Sequence, residues 1–81
     1  MSIVFTFSST HKVITGERAL LDKGIKVEVI PLPSGIGAGC GLCLQIARAD
    51  CEAARALLSE NNAAPQSAHI RASGPTFTLL E

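Results

Sequence analysis

Three features of the chain predict an α+β domain built on an antiparallel sheet. Several segments alternate apolar and polar residues with the two-residue period of strands, two stretches between them space their apolar residues as helices do, and glycine or proline marks the joints. The first segment, IVFTF at residues 3–7, sets Ile3, Phe5 and Phe7 on one side of an extended chain and Val4 and Thr6 on the other. Ser9 or Thr10 then offers a side-chain oxygen to the free amides of a helix start, and Val13, Gly16, Leu20 and Leu21 follow at helical spacing until Gly24 ends the run. The stretch IKVEVIP opposes Ile25, Val27 and Val29 to Lys26 and Glu28, the pattern of a half-buried strand, and Pro31 with Pro33 should stop its pairing.

A glycine- and proline-rich connection, PLPSGIGAG, leads into CGLCLQIA, a third strand in which Leu42, Leu44 and Ile46 share one face and Cys43 shares the other with Gln45. Asp50 is placed to cap a second helix, CEAARALLSENN, whose Ala54, Leu57 and Leu58 would cover the sheet. SAHIRA is a fourth strand. Beyond the SGP break, TFTLL alternates again, so residues 75–81 read as an extension of a single domain at 1–74, an extra C-terminal strand suited to a sheet edge in its own chain or in a second copy, and hence to a homodimer.

The order strand, helix, strand, strand, helix, strand is the ferredoxin-like βαββαβ arrangement, an antiparallel sheet with both helices on one face. Right-handed crossover makes strands one and two parallel, with strand three inserted antiparallel between them. The connection after strand one and the connection between strands two and three then leave the sheet at the same end, which brings SSTHK and GAGCG together. Strand three carries the chain away from that end, leaving Cys51 on the order of 20 Å from Cys40.

Composition narrows the function. At 81 residues there is room for one domain, and 47% hydrophobic residues with only three phenylalanines among the aromatics make a shallow aliphatic core. Seven basic and seven acidic side chains cancel without forming runs of one sign, so the footprint of a nucleic-acid binder is missing. The opening MSIVFTFSST lacks a basic leader and a long apolar run, which argues for a cytoplasmic protein with no membrane association. An odd cysteine count in a reducing compartment favours thiols over a disulfide framework.

Any chemistry therefore rests on thiol reactivity. A thiolate is favoured beside a helix N-terminus or a cation, and the predicted topology offers both to Cys40: the unpaired amides near Thr10, and His11 or Lys12. Glycines such as Gly39 and Gly41 would let backbone amides approach an anion or a sulfur-borne group closely. The plainer alternative is that Cys40 is a small buried hydrophobe and the glycines serve a turn. Cys43 lies three residues on, and in a regular strand the pair would be about 10 Å apart, beyond the roughly 7 Å reach of a disulfide. It serves as a resolving thiol only if the chain bends at Gly41. A metal site from Cys40, Cys43 and His11 lacks a fourth ligand, since His69 belongs to the fourth strand as an exposed histidine, and neither a metal nor a cofactor is assigned. Cys51, at the cap of the second helix, is best read as partly buried beneath it.

The residues FSSTH after the first strand, Glu17 with Leu20, GI at 24–25, IPLP at 30–33 and CGL at 40–42 occur in an order and spacing that resembles a family of short bacterial and archaeal proteins described as selenium/sulfur carrier protein-like. The likeness covers roughly residues 3–61. It implies a carrier, more than a catalyst, in which the cysteine of Cys-Gly-Leu, here Cys40, holds sulfur or selenium as a persulfide or selenosulfide between donor and acceptor proteins. Three departures stand out: Ser34 follows Pro33 where a basic residue is common, Cys43 replaces a small apolar residue, and glycine is dense before Cys40. A regulatory module that holds a small anion or metal in the glycine-rich connection and the first helix N-terminus is the competing function.

Overall fold

The computed structural model describes residues 2–32, 41–71 and 77–79. Its elements are β1 (Ser2–Thr6), α1 (Thr10–Asp22), β2 (Val27–Pro31), β3 (Leu42–Ala47), a single 3₁₀ turn at Arg48–Asp50, α2 (Cys51–Glu60), β4 (Ser67–Arg71) and β5 (Phe77–Leu79). The strands form one sheet in the order β2-β3-β1-β4-β5, and every neighbouring pair is antiparallel. The α+β class expected from the sequence is thus present, and β5 pairs with β4 of its own chain, Arg71 opposite Phe77 and His69 opposite Leu79.

The strand at the centre is β1, bonded to β3 on one side and β4 on the other, with Phe5 opposite both Leu44 and Ala68. Its odd-numbered apolar side chains meet both helices: Ile3, Phe5, Leu44, Ile46 and Ala68 form one core with Val13 and Leu20 of α1 and Ala54 and Leu58 of α2. Val4, Thr6 and Cys43 belong to the other face by alternation, yet each is 0% exposed. The sheet is therefore buried at its middle on both faces.

Helix α1 begins where Ser9, in an extended conformation, accepts the Lys12 N–H on its Oγ at 3.3 Å. It ends in a Schellman turn: Gly24 takes φ +78°, its N–H bonds the Leu21 carbonyl at 3.0 Å, and the Ile25 N–H reaches Leu20 O at 3.0 Å. Helix α2 closes the same way, with Asn62 at φ 58° in the glycine's place and the Ala63 N–H on Leu58 O at 2.8 Å.

Several details correct the sequence reading. Leu21 does not face the core but is 54% exposed, because its angular position on α1 falls off the stripe set by Val13, Gly16 and Leu20. Val29 is 39% exposed, since β2 is an edge strand that the helices cover incompletely. β2 ends on Pro31, the last pair of the ladder, opposite Leu42, and a single further bond follows it, from Leu32 N–H to Gly41 O at 2.9 Å, while Pro33 lies outside the described residues. Proline is tolerated there because its missing donor falls on the outer side of an edge strand. Asp50 makes no side-chain cap to α2, and the 3₁₀ turn that precedes the helix begins at Arg48.

Gly16 is where α1 comes closest to its neighbours. A Cβ at that position would lie 2.7 Å from Leu58 Cδ2 and 3.2 Å from Leu44 Cδ1, both on fully buried side chains. Gly16→Val should therefore cost about 1–3 kcal/mol of stability through overpacking, read as a lower urea midpoint at unchanged slope.

Candidate functional site

The site is built at one end of the sheet. β1 ends at Thr6, paired with Cys43 on one side and Ser67 on the other. Antiparallel register then sets Gly41 beyond the end of β1, at the end of the sheet where the chain turns through Ser9 into α1. β2 finishes at the same place, and the Leu32–Gly41 bond joins it to the start of β3. The Gln66 N–H closes the other side on Thr6 O at 2.7 Å. Of the residues expected to form the site, Thr10 and His11 are exposed in the first turn of α1 and Gly41 is exposed at the start of β3. Cys40 and Gly39 lie outside the described residues.

Two properties of this end bear on anion or thiolate chemistry. The first turn of α1 contains no acidic residue, so no carboxylate offsets the positive pole of the helix, while Lys12 adds a charge to it. Gly41 has φ +76° with nothing within 4 Å of where a Cβ would stand. Its glycine is required by the left-handed backbone, not by crowding.

The two described cysteines occupy different surroundings. Cys43 is a fully buried thiol, and its Sγ donates toward Ile30 O at 3.7 Å and Pro31 O at 3.8 Å, contacts that engage the protonated form. Cys51 is half-buried at the start of α2, in a cleft of about 370 Å³ lined also by Arg48, Glu52 and Arg55. That cleft adjoins Ile3 and Ile70, at the far end of β3 from Gly41.

Sequence reasoning missed a polar row on the face opposite the helices. Thr6 Oγ1 contacts Ser67 Oγ, which in turn meets His69 Nε2 at 2.9 Å. His69 is half-buried, not an exposed strand histidine, and its desolvation lowers its pKa from 6.5. The signal was present in alternation: Ser67 and His69 are two apart in a strand, and the cross-strand partners Thr6 and Val4 belong to the buried β1. Among the described residues no group of three or more His, Cys, Asp or Glu side chains could hold a metal ion. Nor is any described helix long and apolar enough to cross a membrane.

The small α+β sheet domain thus gathers a left-handed glycine, two strand ends and a helix N-terminus at one edge, and its sequence carries Cys-Gly-Leu at residues 40–42. A family model described as "Putative Se/S carrier protein-like" matches residues 2–70, and the chain belongs to that family. No curated protein matches the chain. No solved structure does so either.

Two outcomes follow from this geometry. Gly41→Ala should cost about 1–2 kcal/mol, the toll of a left-handed conformation on an L-residue, seen as a lower thermal midpoint. His69 binds its proton less readily folded than unfolded, so the unfolded state takes up more protons as pH falls below about 6.5. Stability should be fully present above that pH and decline below it, and His69→Gln should flatten this part of the stability profile measured by denaturation between pH 5 and 8.

Proposed function

We propose that this chain is a sulfur or selenium carrier that holds its cargo on Cys40. The fold is read in full as the ferredoxin-like βαββαβ plan extended by β5, and the protein as a cytoplasmic one working between donor and acceptor proteins. Membership of the carrier family supports the class of function. The observation that supports the site is the Leu32–Gly41 bond at the sheet end that bears the N-terminus of α1, one residue along the chain from Cys40.

In the forward step the Cys40 thiolate attacks the outer sulfur of a donor persulfide. A new S–S bond forms as the donor's own S–S bond breaks, the donor leaves as a thiolate, and no external oxidant or reductant is consumed. An acceptor thiolate reverses the step, and a donor selenosulfide delivers selenium in the same manner. The amides of the first turn near Thr10, the Lys12 charge and the His11 imidazole favour the anionic sulfur, while Gly39 and Gly41 admit the cargo close to the backbone. Such exchange needs an accessible sulfur and no deep pocket, which suits a carrier more than a catalyst. Cys43 is ill suited to resolving the persulfide, because its thiol is buried and bonded to carbonyl oxygens. The uncompensated helix pole also favours the competing reading, a small anion held by α1 with Cys40 as a bystander.

Mass spectrometry separates the two after incubation with a cysteine desulfurase and cysteine. The carrier gains one sulfur on the peptide that contains Cys40, the gain disappears on reduction and in Cys40→Ser, and it survives in Cys51→Ser. An unlabelled Cys40 peptide would sink the carrier reading. Alkylation should modify Cys40 before Cys43 or Cys51, with a rate profile that rises below the free-thiol value of about 8.5. His11→Ala should move that profile to higher pH.

A further inference from the structure

We infer that β2 is a self-pairing edge: two copies of the chain join through it about a two-fold axis at Val27, with α1 of each copy flanking the seam. This goes beyond the carrier reading and does not depend on it. β2 stands last in the strand order, so among the described residues nothing pairs with its outer side.

One hydrogen bond fixes which groups are left outside. Leu32 directs its N–H to Gly41 of β3. Backbone groups alternate along a strand, so Ile30 and Glu28 also face β3, while Val27, Val29 and Pro31 turn theirs outward. The edge thus offers the donors and acceptors of Val27 and Val29 as a template for another strand.

Two exposed apolar side chains, Leu21 and Val29, lie on or beside this strand. Among the described residues the large hydrophobics with substantial exposure are Ile14 at 58%, Leu21 at 54% and Val29 at 39%. Ile14 lines a separate groove with Asn61 at the end of α2, so of α1's exposed apolar side chains it is Leu21 that lies beside β2. Gly16 turns a different flank of α1 to Leu58 of α2. Leu21 shares a groove of about 470 Å³ with Lys26, Val27 and Glu28, which continues across Gln45 and Ala47 of β3 to Ser2 of β1.

Charge selects a second copy as the occupant and sets the register. A two-fold axis must set outward residues opposite outward residues, so its centre falls on Val27, Glu28 or Val29. Centring on Glu28 would oppose two carboxylates across the seam, which is unfavourable. Centring on Val29 would place Val27 opposite Pro31, which has no N–H to give. Centring on Val27 lets that residue exchange both backbone bonds with its own copy. Each Val29 N–H then reaches the carbonyl of Ile25, whose own N–H is already committed to Leu20 O at 3.0 Å. In this register Lys26 lies opposite Glu28 of the second copy, twice over. Both are exposed in the single chain, and zero formal net charge leaves no general repulsion between copies.

Sedimentation equilibrium on the full chain tests the inference. A dimer is expected, weakened on the order of tenfold by Lys26→Glu or by Glu28→Lys, each of which turns both cross-strand pairs from attractive to repulsive. The double variant Lys26→Glu/Glu28→Lys restores the pairing and recovers the affinity. Leu21→Gln should weaken the dimer without any change of charge. These side chains are exposed, so thermal midpoints at low concentration should match the parent and show that each variant folds. A chain that stays monomeric at all concentrations overturns the inference. So does a dimer that either single reversal leaves unmoved, or a double variant that fails to recover.

Discussion

The whole arrangement hangs on β1 being enclosed on all sides. Both of its edges are paired, and Ile3, Val4, Phe5 and Thr6 are each at most 1% exposed. A strand in that position can be served only by neighbours that satisfy its backbone on left and right while a helix layer covers its odd-numbered side chains. β3 and β4 meet the first need, and α1 with α2 meets the second through Val13, Leu20, Ala54 and Leu58. Because β1 is short, the same pairing that buries it also brings the ends of its neighbours together. The candidate site is a by-product of that convergence: β2 finishes, β3 starts and α1 departs within one corner of the sheet.

That corner sorts the thiols by physical circumstance. Cys43 enters the sheet directly opposite Thr6, so it inherits the burial of the central strand and gives its proton to carbonyl oxygens of β2. Cys51 is carried by β3 to the other end of the molecule, beside arginines that also line its cleft. The cysteine of Cys-Gly-Leu directly precedes the left-handed Gly41, where the chain has just entered the sheet. The burial of Cys43 thus follows from where β3 begins, and moving that start by one residue would exchange the faces of Leu42, Cys43 and Leu44.

Much of this was legible in the sequence. The alternation in IVFTF and LCLQIA reads correctly because one face of each strand packs against helices, and the Ser9 cap and Gly24 stop follow from local chemistry that needs no tertiary context. What was not legible depends on neighbours. Pro31 ends β2 as its ring suggests, yet its place inside the last ladder pair depends on its missing donor falling on the outer side of an edge strand. Leu21 counts as a core residue by spacing alone, although two turns of α1 drift enough to carry it toward β2. The burial of Val4, Thr6 and Cys43, and with it the Ser67–His69 contact, requires knowing that β1 is central, which no local pattern states. The Leu32–Gly41 bond was not legible either, because it arises from the register between two strands.

The Leu32–Gly41 bond has a further consequence for how such a protein can diversify. It fastens the chain on either side of residues 33–40, at Leu32 and at Gly41. Closure entropy grows slowly with length, and doubling such a connection costs only about 0.6 kcal/mol. A connection between two such fixed posts tolerates insertion and deletion at little expense to the fold, while the posts themselves do not. A lineage built on this frame can alter the length and composition of one connection, with the sheet and both helices left as they are.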